Sequence, residues 1–349
     1  QRNISLKRIN EIINNLELNS SKACKQLNFI DDLKYEDEVI TFLENKSKNI
    51  IDFNDYMGVK SEKSVSQDKI AIIYATGPIN SGKGSYNSIG SETTVKAIRQ
   101  ANEDEKVKAI VLRVNSPGGS ALASDVILRE LNLAKQKKKI IVSMGDYAAS
   151  GGYYISCNAD KIFANNTTLT GSIGVFGIVP NTQKLLNENI GVYIDTVNTH
   201  KYSDLGRGNR ELTKYELDVI QNSVEDVYET FITHVSKGRG ISIIEVDKIG
   251  QGRVWSGVDA LEIGLVDEIG GLEEAIASAA ELSDLDDYRI ITLPNKKDEF
   301  EELIKKITVE KNILLKKMMS FSDVVLRNFK FINSEDKIQT ILPYFIEIQ

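Results

Sequence analysis

Four short apolar runs, each rich in β-branched residues, constrain the fold of this chain more than any other feature. They are Lys69-Ile-Ala-Ile-Ile-Tyr-Ala-Thr76, Val107-Lys-Ala-Ile-Val-Leu-Arg-Val114, Lys139-Ile-Ile-Val-Ser-Met144 and Lys161-Ile-Phe-Ala164. Runs this short and this apolar read as buried strands. Between them, residues 92–103 read as a helix, and Leu122, Val126, Ile127, Leu131 and Leu133 keep helical spacing as far as about Gln136. Strands alternating with helices make an α/β protein with βα crossovers. Further on, Val192-Tyr-Ile-Asp-Thr-Val197 is strand-like, whereas 167–174 and 198–211 read as loops. Thr213 and Glu216 form a capping-box pattern ahead of an apolar stripe through Leu217, Ile220, Val224, Val227, Phe231 and Val235. That helix spans 213–236, with Gly238 as its stop.

The third strand leads into Gly145-Asp-Tyr-Ala-Ala-Ser150-Gly151-Gly152-Tyr-Tyr-Ile-Ser, a serine among small residues where a strand turns into a helix. Such a hydroxyl has little steric cover, and the first N–H groups of the helix point nearby. The plainer reading is that Ser150 is only an N-cap. The second strand ends in Asn115-Ser-Pro-Gly118-Gly119-Ser120. Paired glycines let backbone N–H groups approach a carbonyl oxygen, and each such donor is worth about 3–4 kcal/mol to an oxyanion. Alone, this stretch is an ordinary Pro-Gly turn. Neighbouring parallel strands bring Gly118, Gly119 and Ser150 to one sheet edge, which favours a nucleophile over a cap.

A serine nucleophile needs a base. Only His200 and His234 are present. His234 lies beside the apolar stripe of the long helix, and His200 lies in a polar loop with no clear orienting carboxylate. A lysine with a pKa lowered by burial serves equally, and Lys201 is the local candidate. Gly77-Pro-Ile-Asn-Ser-Gly82-Lys83-Gly84 imitates a phosphate loop, but Gly84 stands where magnesium binding requires Ser or Thr. It is a substrate-side loop instead.

Composition removes several function classes. Lys and Arg number 43 against 50 Asp and Glu, a net charge of −7, which argues against nucleic acid as a partner. No apolar run reaches the ~18–20 residues that span a bilayer. Cys24 and Cys157 allow at most one bridge, and no metal cluster or cofactor motif is present. The 349 residues also carry a repeated pattern. Phe29-Ile-Asp-Asp-Leu33 matches Leu265-Val-Asp-Glu-Ile269, and each precedes an acidic helix start. A duplication of this period implies that residues 1–60 are the tail of a truncated first repeat plus a linker, with roughly 200 residues missing upstream. Residues 61–290 then form the serine-bearing domain. Residues 291–349 form an amphipathic helical extension, through Phe300, Leu303, Ile307, Leu314 and Met318.

Three segments together resemble the signal peptide peptidase A family of membrane-associated Ser–Lys peptidases. They are Val111-Leu-Arg-Val-Asn-Ser-Pro-Gly-Gly119, Ser143-Met-Gly-Asp-Tyr-Ala-Ala-Ser-Gly-Gly-Tyr-Tyr-Ile155 and Leu169-Thr-Gly-Ser-Ile-Gly-Val175. Gly250-Gln-Gly-Arg-Val-Trp-Ser-Gly257 and Gly264-Leu-Val-Asp267 also fit, so the resemblance covers roughly 69–285. It implies the spiral of ββα units of the Clp protease and crotonase superfamily. Carried over, Ser150 is the nucleophile, Gly119 an oxyanion donor with Gly118 beside it, and Gly151 the second donor. Ser172 matches the serine that orients the base lysine. The resemblance implies peptide substrates such as cleaved signal peptides. It also implies a homo-oligomeric bowl at the inner membrane, facing the periplasmic side, and no cofactor. The lysine itself departs: aligning on Arg210-Glu-Leu-Thr213 puts Asp204 in register but Ser203 at the lysine position, two residues from Lys201. Long family members are tandem duplications whose lysine comes from the first half, in agreement with the repeat. The alternatives are a crotonase-like acyl-CoA enzyme, which would use acidic residues, and a non-catalytic ring scaffold.

Overall fold

The computed structural model describes residues 66–294 except Tyr86, Thr199 and Lys201, most of residues 2–46, and the strand at 338–341. It divides into two compact units, 1–63 and 64–349. The amphipathic stretch at 299–331 lies outside the described residues.

The first unit carries α1 (Leu6–Asn14), α2 (Ser21–Gln26) and α3 (Glu36–Lys46). Ser5 caps α1 by accepting from the Arg8 N–H, and Ile12 is its buried side chain. Arg8 pairs with Glu17 at 2.8 Å, and Arg2 pairs with Asp31 at 2.7 Å.

The second unit is built from repeated strand–short strand–helix units. The first is β1 (Lys69–Thr76), β2 (Ile79–Asn80), β3 (Ile89–Gly90) and α4 (Ser91–Glu103). The second is β4 (Val107–Ser116), β5 (Gly118–Ser120) and α5 (Ala121–Lys135). Next come β6 (Lys139–Ala149), the one-turn α6 (Gly151–Tyr154), β7 (Lys161–Ala164), β8 (Leu169–Gly171) and β9 (Phe176–Gly177). A π-helical turn, Leu185–Ile190, precedes α7 (Lys214–Arg239) and α8 (Ile243–Ile249). The remainder is β10 (Val254–Ser256), α9 (Gly257–Glu262), β11 (Glu268–Ile269), α10 (Leu272–Glu281), β12 (Arg289–Leu293) and β13 (Ile338–Ile341).

Among the described residues, eight strands form the main sheet along the path β10-β8-β6-β4-β1-β12, with β7 and β11 branching from β6. Every pair in it is parallel except β10–β8. The α/β expectation is borne out. Alternate side chains of a strand point to opposite faces. In β1, Ala71, Ile73 and Ala75 join the core beneath α4, α5 and α7, while Ile70 and Ile72 meet Ala275 and Ala279 of α10 on the other face. Burial on both faces is why these runs are apolar throughout. β6 is unusually long: residues 141–143 pair with β7, and residues 147–149 pair with β8. Its second half thus leaves one neighbour for another just before Ser150.

Three local expectations change. Residues 169–171 are a strand rather than loop, held between β6 and β10. Val192–Val197 has no partner strand among the described residues, and Tyr193 and Val197 stand exposed at 78% and 101%. Its β-propensity therefore goes unused, because pairing and burial are what strand residues need. The long helix passes Gly238 and ends at Arg239, with Gly240 at φ 67° as its left-handed cap. Gly238 instead admits close packing, since a Cβ there would lie 2.1 Å from Asn158 Oδ1 and 2.3 Å from the Cys157 carbonyl oxygen.

Helix starts in the two units have similar spacing. Helices α1, α2 and α3 begin at residues 6, 21 and 36, and α8, α9 and α10 begin at 243, 257 and 272. Ser5 and Ser242 cap the first helix of each set.

Candidate active site

Ser150 joins the end of β6 to the first turn of α6, at φ 52° and ψ −114°. That backbone conformation disfavours any side chain, and residues held in it tend to cluster at functional sites. Its N–H donates to the Gly171 carbonyl at 2.9 Å, and its own carbonyl accepts from the Tyr154 N–H at 2.8 Å. The side chain makes no cap hydrogen bond, although it occupies the N-cap position. The plainer reading of Ser150 as a helix cap therefore fails. The hydroxyl is fully buried and turns toward the Gly174 carbonyl, at 3.4 Å.

Gly118 and Gly119 lie against this turn because β4 and β6 are neighbours, with Ser116 opposite Ala148. Gly152 sets the closeness of the approach: a Cβ on it would come within 2.7 Å of the Ser116 carbonyl oxygen. Gly119 is equally constrained, since a Cβ would sit 2.1 Å from the Ile79 carbonyl oxygen. Ser116 pins the turn. Its buried hydroxyl donates to the Gly77 carbonyl at 2.7 Å and accepts the Gly118 N–H at 3.1 Å. The Gly118 N–H, one of the expected oxyanion donors, thus donates to Ser116 Oγ in this structure. Gly151 opens α6, so its N–H has no partner within that helix. Sequence reasoning passed over Ser116, because Ser-Pro-Gly reads as generic turn chemistry.

Ser172 follows β8 at φ 48° and is buried, its N–H donating to the Arg253 carbonyl at 2.8 Å. The Gly252 N–H donates back to the Ile173 carbonyl at 2.8 Å. Tyr228 on α7 accepts from the Gln251 N–H and donates to Asp247, and burial pushes its phenol up to about 12. Ser172 and Gly174 share with Val175, Phe176, Val224 and Tyr228 the wall of a cavity of about 360 Å³. The Ser150 backbone and hydroxyl thus bond to Gly171 and Gly174, the residues on either side of the Ser172–Ile173 pair.

The base candidates fare differently. His234 Nε2 lies 3.4 Å from Asp125 Oδ1 and its ring meets Tyr154 edge-on, a helix-packing role as the plainer reading had it. His200 and Ser203 close a turn, with the His200 N–H donating to Ser203 Oγ at 3.0 Å. Asp204 is held by Arg210 at 2.8 Å, and Arg210 also grips Glu216 at 2.6 Å, so both carboxyls drop to about 2. This cluster ties the 198–211 loop to the N-terminus of α7. Lys201 lies outside the described residues. Burial lowers the Lys138 amine, but Lys138 bonds to the Asp104 and Val107 carbonyls at the far end of β6. Eleven strand residues separate it from Ser150, roughly 35 Å at strand rise, so it is not the base.

Residues 132–286 match the family model for peptidase family S49. The chain is similar to Protease 4 of Haemophilus influenzae, 43% identical over 238 residues, which are 67% of this chain and 38% of that protein. It is 39% identical over 284 residues to a chloroplastic serine protease SPPA of Arabidopsis thaliana, covering 77% of this chain and 42% of that protein. It is 37% identical over 242 residues to a putative signal peptide peptidase SppA of Enterococcus faecium, covering 68% of this chain and 69% of that protein. The chain therefore spans about two fifths of the first two relatives and about two thirds of the third. With the family match running through the serine turn and the Ser172 loop, and with a relative 37% identical over 69% of its length, the chain belongs to peptidase family S49.

Proposed function

We propose that this chain is the serine-bearing part of a serine endopeptidase that works with a lysine base. Ser150 Oγ attacks a peptide carbonyl while its proton passes to the lysine amine. The N–H groups of Gly119 and Gly151 hold the tetrahedral oxyanion. The departing amine takes the proton from the lysine, and water then releases the acyl group from Ser150. Ser172 orients the lysine amine. Because Ser203 stands at the family's lysine position, the base comes from a segment beyond residues 66–294, in keeping with a first repeat whose last helices are α1–α3. Substrates are extended apolar peptides, cleaved signal peptides among them. They are processed by an oligomeric bowl beside a membrane, on its extracytoplasmic side. Among the described residues no helix is long and apolar enough to cross a membrane.

The observation that carries this reading is the strained Ser150 turn, whose hydroxyl caps nothing and faces the Ser172 loop. A fluorophosphonate probe tests it. Labelling of the full-length protein at Ser150, lost in Ser150→Ala, is the expected result; equal labelling of both proteins sinks the assignment. The chain on its own should have little peptidase activity. Robust activity that Lys201→Ala abolishes would return the base to this chain. Tight, saturable acyl-CoA binding would favour the crotonase-like alternative.

A further inference from the structure

The loop that receives the Ser150 hydroxyl is fastened to a second turn, Gly250–Arg253, by a reciprocal pair of backbone hydrogen bonds. The Ser172 N–H donates to the Arg253 carbonyl and the Gly252 N–H donates to the Ile173 carbonyl, both at 2.8 Å. A Cβ on Gly174 would lie 2.8 Å from the Gly252 Cα, so the two segments cross in direct backbone contact. The contact continues into the β8–β10 ladder, where Gly171 stands opposite Val254. Ser150 is tied to this loop at both ends, through the Gly171 carbonyl at 2.9 Å and the Gly174 carbonyl at 3.4 Å. A shift of the turn at 250–253 is therefore a shift of Ser172 and Gly174 as well.

That turn is not a relaxed one. Gln251 sits at φ 57° and Gly252 at φ 78°, and a side chain in the left-handed region persists where its surroundings hold it there. The holding group is the Tyr228 phenol, which reaches the turn from α7. It accepts the Gln251 N–H at 3.1 Å and donates to Asp247 Oδ1 on α8 at 2.7 Å. The Gln251 side-chain amide donates to the other Asp247 oxygen at 3.4 Å. Gly250 makes room for the phenol, since a Cβ there would lie 2.9 Å from its oxygen. One hydroxyl thus joins α7, α8 and the turn, using its donor and an acceptor site together. Tyr228, Gln251 and Gly252 also line the cavity that Ser172 and Gly174 face.

We propose that Tyr228 is a positioning residue for the Ser150 site: its hydroxyl fixes the Gly250–Arg253 turn, and the turn sets where Ser172 and Gly174 stand. Tyr228 acts through the turn and not on the reacting atoms. Asp247 serves the same clamp by fixing the direction of the phenol O–H. This rests on the peptidase reading for the chemistry that Ser150 and Ser172 perform; the clamp itself is a property of the fold.

The test uses the full-length protein and Tyr228→Phe, which keeps the ring and loses the hydroxyl. Amide exchange over residues 169–176, read by mass spectrometry, should quicken about fivefold, the effect of one hydrogen bond lost from a local opening equilibrium. Fluorophosphonate labelling of Ser150 should keep its half-saturation concentration while its limiting rate falls about tenfold, because a displacement at the site is felt in the chemical step. Asp247→Asn retains an acceptor oxygen for the phenol and should stay within about twofold of the unaltered rate, whereas Asp247→Ala should approach Tyr228→Phe. Lys138→Met is the control for lost stability: it removes the bonds to the Asp104 and Val107 carbonyls at the far end of β6 and should leave the limiting rate unchanged. An unchanged limiting rate in Tyr228→Phe, or a fall that Lys138→Met reproduces, overturns the proposal. A slower rate with unaltered exchange over 169–176 also overturns it, since the phenol would then act on the reaction directly. Absence of labelling in the unaltered protein sinks the peptidase reading instead. In that case faster exchange in Tyr228→Phe still supports the clamp, and unchanged exchange sinks it too.

Discussion

Ser116 makes the sharpest quantitative case in the structure. Its hydroxyl is fully buried and serves two backbone groups, the Gly77 carbonyl at 2.7 Å and the Gly118 N–H at 3.1 Å. Ser116→Ala leaves both groups without a partner, at about 1–3 kcal/mol each, and a total near the lower half of that range is about 2–4 kcal/mol. For a domain of this size each kcal/mol lowers Tm by about 2–4 °C, which gives a fall of about 5–15 °C. Ser124 is the control. It is also fully buried, but its hydroxyl only doubles a bond to the Ser120 carbonyl, which the helix already uses. Ser124→Ala should cost less than about 0.5 kcal/mol, because no backbone group is left unpaired. Urea unfolding followed by circular dichroism measures both variants. The consequence extends to chemistry, since the Gly118–Gly119 turn loses its anchor. A displacement approaching 1 Å slows reaction by up to ~100-fold, so fluorophosphonate labelling of Ser150 should slow at least tenfold in Ser116→Ala and stay unchanged in Ser124→Ala. Equal stability losses in the two variants, or a Ser116→Ala loss below about 0.5 kcal/mol, would refute the reasoning.

Three further outcomes follow from features elsewhere in the fold. Asp204 and Glu216 both titrate near 2 beside Arg210, so they stabilise the fold above the ordinary carboxylate range, and that contribution disappears as pH falls from about 4 through about 2. Tm measured between pH 5 and pH 2 should drop less steeply in Arg210→Met than in the unaltered protein. Gly238→Ala forces a Cβ to 2.3 Å from the Cys157 carbonyl oxygen and should lower the urea midpoint by the equivalent of about 1–3 kcal/mol. Thermolysin under native conditions should cut first within 191–198, where Val192, Tyr193, Ile194 and Val197 stand exposed without a partner strand among the described residues; first cleavage within the β4–β6 core would contradict this.

What could be read from the sequence follows from how much each segment is buried. β1, β4, β6 and β7 are legible because two covered faces demand apolar residues at nearly every position. β8 is not, since Leu169-Thr-Gly171 is short and polar and becomes a strand only through its neighbours β6 and β10. The same holds for β2, β3, β5 and β9, whose two or three residues are too short to show any period. Residues 192–197 err in the opposite direction: Val, Tyr, Ile and Thr have strand propensity, but propensity alone brings no partner. At the site, Ser150 and Gly119 stand out because small and hydroxyl residues follow two legible strands, whereas Ser172 is marked only by the family resemblance. The commitment of the Gly118 N–H to Ser116 is invisible in sequence, since it depends on which backbone group a side chain two residues away reaches. The lowered Lys138 amine is equally invisible, and only topology shows that it sits at the wrong end of the sheet.

The backbone at Ser150 carries one more implication. At φ 52° and ψ −114° the residue occupies a conformation natural to glycine, and a side chain there costs of order 1–3 kcal/mol. Folding by itself would be served better by a third glycine ahead of Gly151 and Gly152. Ser150→Gly should therefore melt higher than the unaltered protein, while Ser150→Ala, which keeps the Cβ and loses only a 3.4 Å contact, should melt close to it. Two variants that both lack the proposed nucleophile would then separate in stability. Cohesion of the fold and the proposed reactivity of the hydroxyl would then oppose each other at a single strained residue.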